Sequence, residues 1–299
     1  MKVTFYIIPQ SFCAKGVSLC SVINSVYAFL SEYSTIDSFN DENEIIVDDN
    51  IYEAILPNGM TLGEYAYNIC DAEGEERDLK SSLQRILQRH SKKITIEQIC
   101  KQIDENSING CVGVISMVPI EGIADKSQIV YDKSSWYDFR RYHLGLFHGE
   151  AEYFIDECRK FYPNMFFHDH NKDSVGNILK SFARTIIFHL NGIHDILPDL
   201  MEKHPGFNQT DLLRELSDKA KFPEVATPEG GGNKKYMKFA FKPDNGEKNI
   251  DVLCELHAKL CYDDSNDGKY HKDKRIYFHK GRKDIAGGRI LIGHIGKHL

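Results

Sequence analysis

The stretches NIDVLCELHAKL (residues 249–260), KRIYFHK (274–280) and RILIGHIGKHL (289–299) decide how this chain folds. In the first, Ile250, Val252, Cys254, Leu256, Ala258 and Leu260 alternate with Asp251, Glu255, His257 and Lys259, interrupted only by Leu253. A strand sends successive side chains to opposite faces, so this spacing predicts an apolar face and a polar one. In the second, Arg275, Tyr277 and His279 fall on one face and Ile276 and Phe278 on the other. In the third, Arg289 and Leu291 alternate with Ile290 and Ile292. Gly293 and Gly296 then bend the backbone, so period alone does not direct His294 and His298. YMKFAF (236–241) adds a further strand. The connecting stretches PDNGEK, CYDDSNDGKYHKDK and GRKDIAG are polar, rich in Asp, Asn and Gly, and short enough for hairpins. The pattern predicts a four-strand antiparallel meander.

Upstream the period changes. MFFH (165–168) reads as a strand. Asp173 is placed as the N-cap of a helix to about Leu190, which Asn191-Gly192 ends. A second helix starts near Ile193 and is kinked or stopped around Pro198 and Pro205, and a third covers 211–220. Helices are also expected over 134–144 and 149–162. Residues 134–299 are thus a helical section packed on a C-terminal antiparallel sheet. Residues 1–133 form a separate N-terminal α+β unit, and the fold class is α+β. That unit opens with a strand at KVTFYIIP (2–9), followed by a helix carrying Val22, Ile23, Val26, Phe29 and Leu30 at helical spacing. EIIV (44–47) is a strand, 61–70 and 75–90 are helices, and Thr95 with Gln98 makes a capping box. GCVGVISMVP (110–119) is a buried strand with QIVYD (128–132) as its partner. The boundary falls near 124–134. TPEGGGNKK (227–235) is a flexible passage without the Lys-Ser/Thr pair or the strand-to-helix setting of a phosphate-binding loop.

The net charge of −7 is unevenly spread. Residues 221–299 hold 16 Lys or Arg against 11 Asp or Glu, a net of +5, and residues 1–220 carry −12. The asymmetry points to RNA or another nucleic acid at the basic end and to a protein partner at the acidic N-terminal part. Attraction between the two parts accounts for it equally well. No apolar run approaches the roughly 18 residues of a membrane span, so no membrane partner is expected. Pro9 and Gln10 interrupt the first apolar stretch, which favours a buried strand over a signal peptide, and a cytoplasmic location is expected. The eight cysteines include no C-x-x-C pair and fit reduced core thiols.

Residues 255–299 concentrate five of the 13 histidines, with ten Lys or Arg. RNA cleavage needs this kind of sheet face. The 2′-hydroxyl must lose a proton, the phosphorane oxygens must be neutralised, and the leaving 5′-oxygen must gain a proton. Histidine supplies the transfers near neutral pH, and Arg or Lys the neutralisation. The expected catalytic residues are Lys259 and Arg275 on the scissile phosphate, His279 and His294 in proton transfer, and Tyr277 orienting the nucleotide. His257, Lys280, Lys297 and His298 are expected to bind substrate. An ordinary solvated sheet face carries the same residue types. Zinc at His294 and His298 with His279 or Glu255, and a metal at His168 and His170, are weaker alternatives, because a glycine-broken strand end gives i, i+4 spacing no meaning and a polar loop explains the HxH pair. No metal and no cofactor is assigned. No G-x-S-x-G elbow is present, and apolar phasing makes Cys254 a core residue.

From Met165 onward, and above all in KRIYFHK and RILIGHIGKHL, the sequence resembles a RelE/ParE-type toxin domain. The likeness rests on element order, a strand, helices and an antiparallel meander, and on basic and aromatic residues along the late strands. It covers less than half of the chain. The resemblance implies a small antiparallel sheet with helices on one face, and metal-independent RNA cleavage, often on the ribosome. The matching positions are Lys259, Arg275 and Tyr277, with a late basic residue near Lys297. The chain departs from the family in its size, its longer helical section, and its histidines where such toxins favour Lys and Arg. Some members inhibit gyrase by binding protein. A role as a bacterial or phage-defence effector follows by this analogy.

Overall fold

VTFYI is apolar at every position except Thr4, the composition of a strand covered on both faces. In the computed structural model, which describes residues 3–13, 16–37, 43–68, 72–104, 111–123, 128–230, 234–246 and 248–299, this segment is β1 (Val3–Ile7). It lies inside a four-stranded sheet with β2 (Asn43–Val47), β3 (Cys111–Ile115) and β4 (Ile129–Val130), in the order β2-β1-β3-β4, and every pairing is parallel. Parallel neighbours require crossovers. These contain α1 (Leu19–Asp37), then α2 (Leu62–Tyr67), α3 (Gly74–Leu87) and α4 (Ile96–Asp104). The Thr95–Gln98 capping box forms at α4: each residue's backbone N–H donates to the other's side chain, at 3.0 and 3.4 Å. Compact units divide at Met1–Arg140 and Arg141–Leu299, inside helix α5 (Lys133–Leu146), whereas the sequence placed the boundary at the start of that helix. The expected boundary at 124–134 and the expected flexible passage at 227–235 fall partly on residues 124–127 and 231–233, outside the described residues.

The second unit continues through α6 (Ala151–Phe161), β5 (Met165–Phe167), the short α7 (Asn171–Ser174), α8 (Leu179–Lys203) and α9 (Gln209–Ala220). The expected break at Asn191-Gly192 does not occur, and α8 runs through it and through Pro198. Gly192 has another purpose. A Cβ there would stand 2.7 Å from the Phe222 ring and 2.8 Å from the Ala220 methyl, so glycine lets the end of α9 approach α8 closely. Asp173 lies within α7 and does not cap the long helix.

Six strands follow: β6 (Thr227–Pro228), β7 (Lys238–Phe241), β8 (Ile250–Leu253), β9 (Leu256–Lys259), β10 (Lys274–His279) and β11 (Ile290–Lys297). The four-strand meander is corrected here. The expected strand 249–260 breaks at Cys254-Glu255. Its first half pairs with β7 as a separate hairpin, and its second half joins the main sheet. Leu253, the one residue out of phase, marks the break. The main sheet has the order β5-β11-β10-β9-β6 and is mixed: β5 runs parallel to β11, and the other pairs are antiparallel. One face carries Ile276, Phe278, Ile292 and Ile295 into a large core with Phe182, Ile186 and Leu190 of α8 and Leu213 of α9. The other face carries Tyr277 and Leu291 into a smaller core with Phe239, Phe241 and Val252 of the hairpin.

The register of β10 on β11 slips between Tyr277 and Phe278: Tyr277 opposes His294 while Phe278 opposes Ile292. Gly293 is the extra residue of a bulge. Strict alternation would put His294 on the face of Ile292, and the bulge turns it to the face of Tyr277. A Cβ on Gly293 would lie 2.5 Å from the Phe239 ring and 2.9 Å from Cys254 Sγ, so the bulge also sets how closely the hairpin covers the sheet.

Candidate active site

Arg275 opposes Lys259 and Tyr277 opposes His257 across the β9–β10 pair, a register compatible with the alternation of the two strands. With His294 on the other side of Tyr277, the row His257–Tyr277–His294 crosses three strands, its ring centroids 5.3 and 6.0 Å apart. This row is not a solvated face. Tyr277 is 0% exposed and His257 and His294 are each 5% exposed, because the β7–β8 hairpin and the residues flanking β6 cover them.

At the β6 edge the row meets a carboxylate that sequence reasoning missed. Glu229 follows Pro228, and its N–H bonds the Glu255 carbonyl at 2.9 Å. Its Oε2 stands 3.4 Å from the Tyr277 hydroxyl, 3.7 Å from His257 Nδ1 and 3.8 Å from His298 Nε2. His257 Nε2 is 3.2 Å from the Thr227 hydroxyl. Burial pulls the His257 pKa down to about 4, against the opposing pull of the Glu229 charge, with the Arg275 charge adding to the depression. Burial and then Glu229 push Tyr277 up to about 12. In the folded protein His257 is therefore a neutral imidazole and Tyr277 a neutral phenol at pH 7. His298 and Glu229 form the accessible rim, with side chains 38% and 18% exposed.

A second carboxylate on the other side of β6, Glu224, accepts from Lys259 Nζ at 3.1 Å and from the Tyr270 hydroxyl at 2.5 Å. The Tyr270 and Lys259 hydrogen bonds hold its pKa below the usual carboxylate range. Arg275 is half-buried; one terminal nitrogen donates to the Lys274 carbonyl at 2.9 Å, and its Nε has no partner among the described residues. No charge run or period marked Glu224, in the connection after the 211–220 helix, or Glu229, in the passage 227–235 read as flexible. The Thr227 pairing with His257 places both.

The remaining expected site residues are arranged differently. His294 Nε2–H donates to the Lys297 carbonyl at 2.8 Å, which leaves Nδ1 to accept from Nε2 of His170 at 3.1 Å. Burial lowers its pKa to about 4. His294 therefore faces His170 and not the Glu229 carboxylate. His279 stands past the bulge, opposite Leu291, where Nδ1 accepts from the Gly281 N–H at 3.1 Å. Burial, then the charges of Arg282 and Lys280, lower its pKa. Lys280 lines a depression of about 210 Å³ with His204, Phe207 and Leu212, and Lys297 is exposed. The geometry thus groups Lys259, Arg275, Tyr277, His257 and His298. It leaves out His279, His294, Lys280 and the Lys297 ammonium.

Among the described residues no group of three or more His, Cys, Asp or Glu is arranged to hold a metal ion. In the first unit, the loops after β1 and β3 occupy the place where parallel sheets commonly bind ligands. There the Met117 N–H bonds the Ser11 carbonyl at 2.8 Å, tying the two loops together. No described helix is long and apolar enough to cross a membrane. Neither protein-family models, nor curated proteins, nor solved structures offer a match to this chain.

Proposed function

We propose that the second unit is a metal-independent RNA endonuclease, acting in the cytosol as a toxin or effector in bacterial or phage conflict. The observation that carries this reading is the convergence of Tyr277, His257 and His298 on one anionic oxygen, with the Arg275–Lys259 pair next in register. An RNA phosphate in the place of the Glu229 carboxylate would meet two imidazoles, a phenol and nearby cations. Arg275 neutralises the phosphorane, and Lys259 holds the neighbouring phosphate. His257, neutral as folded, accepts the 2′-hydroxyl proton, and His298 delivers one to the 5′-oxygen. His257 and His298 take the roles expected of His279 and His294. Of the order on which the RelE/ParE resemblance rests, the strand β5, the helices and the antiparallel run β9, β10, β11 support the reading, while YMKFAF pairs in a separate hairpin.

Loss of a transition-state phosphate contact costs on the order of 10²–10³ in rate, so Arg275→Ala should abolish toxicity and RNA cleavage while the protein still melts cooperatively. Identical growth and RNA profiles for cells expressing wild type and variant would end the nuclease reading.

The burial of His257 and Tyr277 favours a second reading, a non-catalytic subunit that grips nucleic acid by its basic sheet or a partner protein by its acidic first unit. Salt titration separates the two, because phosphate contacts weaken log-linearly with salt. RNA binding without turnover would mark the binding subunit, and neither binding nor turnover a protein partner.

A further inference from the structure

Each cation or proton donor grouped on the sheet face, apart from Arg275, ends on a carboxylate from one short segment. Lys259 ends on Glu224; Tyr277, His257 and His298 end on Glu229. The two glutamates bracket β6, a two-residue edge strand whose Pro228 has no N–H to donate. The root of the segment is fixed: Ala226 is buried and its N–H bonds the Ser217 hydroxyl at 2.8 Å. The Glu229 carboxylate is held loosely. Its three contacts, at 3.4, 3.7 and 3.8 Å, all exceed the usual length of a charge-assisted hydrogen bond. Both side chains are partly exposed, so they can rotate to solvent without moving the backbone.

We propose that the carboxylates of Glu224 and Glu229 occupy two anion positions of a groove for a single-stranded polyanion, and that a nucleic-acid strand binds by displacing them with its phosphates. The proposal rests on the nucleic-acid reading above and deepens it. It assigns Lys259 to one phosphate and the His257–Tyr277–His298 cluster to another. It also accounts for the two carboxylates: Glu224 pairs with Lys259, and Glu229 sets its charge beside Tyr277, His257 and His298, where a phosphate would stand.

The test is the affinity of the full-length protein for a labelled oligouridylate, measured by anisotropy across a salt series. Glu224→Gln/Glu229→Gln should bind about tenfold more tightly than wild type, the size expected on removing two partly exposed ion-pair competitors. The salt slope should stay that of wild type, because the same cations meet the same phosphates. Asp251→Asn/Asp267→Asn makes the same change of net charge at two exposed positions, and should change affinity less than twofold. The single glutamine variants, each expected near threefold, decide the matter if the double variant does not fold. Equal affinity of wild type and glutamine variants, or an equal gain in the asparagine control, overturns the inference. Tighter binding with no cleavage by any variant upholds it and ends the nuclease reading. Cleavage by wild type without a gain in affinity does the reverse. No binding by any variant removes both.

Discussion

Acidification should unfold the second unit before the first. His189, His257 and His294 are 1%, 5% and 5% exposed, and burial is the largest cause holding each near pKa 4. In the unfolded chain each returns to about 6.5. With folded values below unfolded ones, the unfolded state binds more protons between these limits, so stability is full above about pH 6.5 and falls toward pH 4. At pH 5 each histidine accounts for about 2 kcal/mol, and the three together for about 6 kcal/mol if independent, against a typical domain stability of about 5–15 kcal/mol. Twelve of the 13 histidines lie after Arg140 and only His90 before it. The assay is urea denaturation of the intact protein from pH 7.5 to 5. Fluorescence of the single tryptophan, Trp136, reports the first unit, and amide exchange in β9, β10 and β11 reports the second. Protection of those strands should collapse at pH 5 while the tryptophan transition moves little. His294→Gln, which can still donate to the Lys297 carbonyl and accept from His170, should remove about a third of the pH effect. Equal protection at pH 7.5 and 5 would refute the burial argument.

Gly293→Ala forces a methyl into the Phe239 ring and should destabilise the second unit by about 1–3 kcal/mol, with partial recovery in a Phe239→Leu background, both read from denaturant midpoints. Arg141 is buried against Asp195, both carboxylate oxygens at 3.2 Å, with its Nε on the Phe161 carbonyl. Asp195→Asn should cost about 2 kcal/mol, less than a fully buried pair because Asp195 is half-exposed, and the loss should shrink in high salt. A thiol reagent should modify exposed Cys13 and Cys20 in the native protein but reach Cys158 and Cys254, whose thiols burial raises, only on unfolding. Prompt native labelling of Cys254 would count against the hairpin's cover over the sheet.

What the sequence made legible was local. Alternation in LHAK and KRIYFH sufficed to put Arg275 and Tyr277 on one face with His257 and Lys259, because a one-residue slip would turn the apolar set outward; the register that sets Arg275 opposite Lys259 is fixed by the sheet. The α+β class, and the helix starts outside residues 173–205, followed from similarly short-range signals. What failed required long-range partners. That the polar face lies under β7 and β8 depends on Phe239 meeting Gly293, 54 residues away, and no window of sequence contains both. Glu229 belongs to the site through a two-residue strand too short to carry a period. Gly192 read as a stop because glycine usually serves there, yet here it makes room for Phe222. His294 was placed by a bulge, which adds one residue and so cancels any prediction of face.

The parallel pairing of β5 with β11 has a consequence for how the protein is made. Ile290 lies beside Met165, so a strand near the start of the second unit finds its neighbour only after more than a hundred further residues have been synthesised. Closing so long a loop costs entropy before any contact repays it, and such topologies fold slowly. Until β11 emerges, Phe167 has no strand beside it, and Ile276 and Phe278 lack their outer neighbour. From the emergence of β5 to that of β11 the nascent chain therefore carries an unpaired apolar strand. Synthesis of this unit should lean on chaperones, and a ribosome stalled within the last strand should leave a product prone to aggregate rather than a weakened but folded protein.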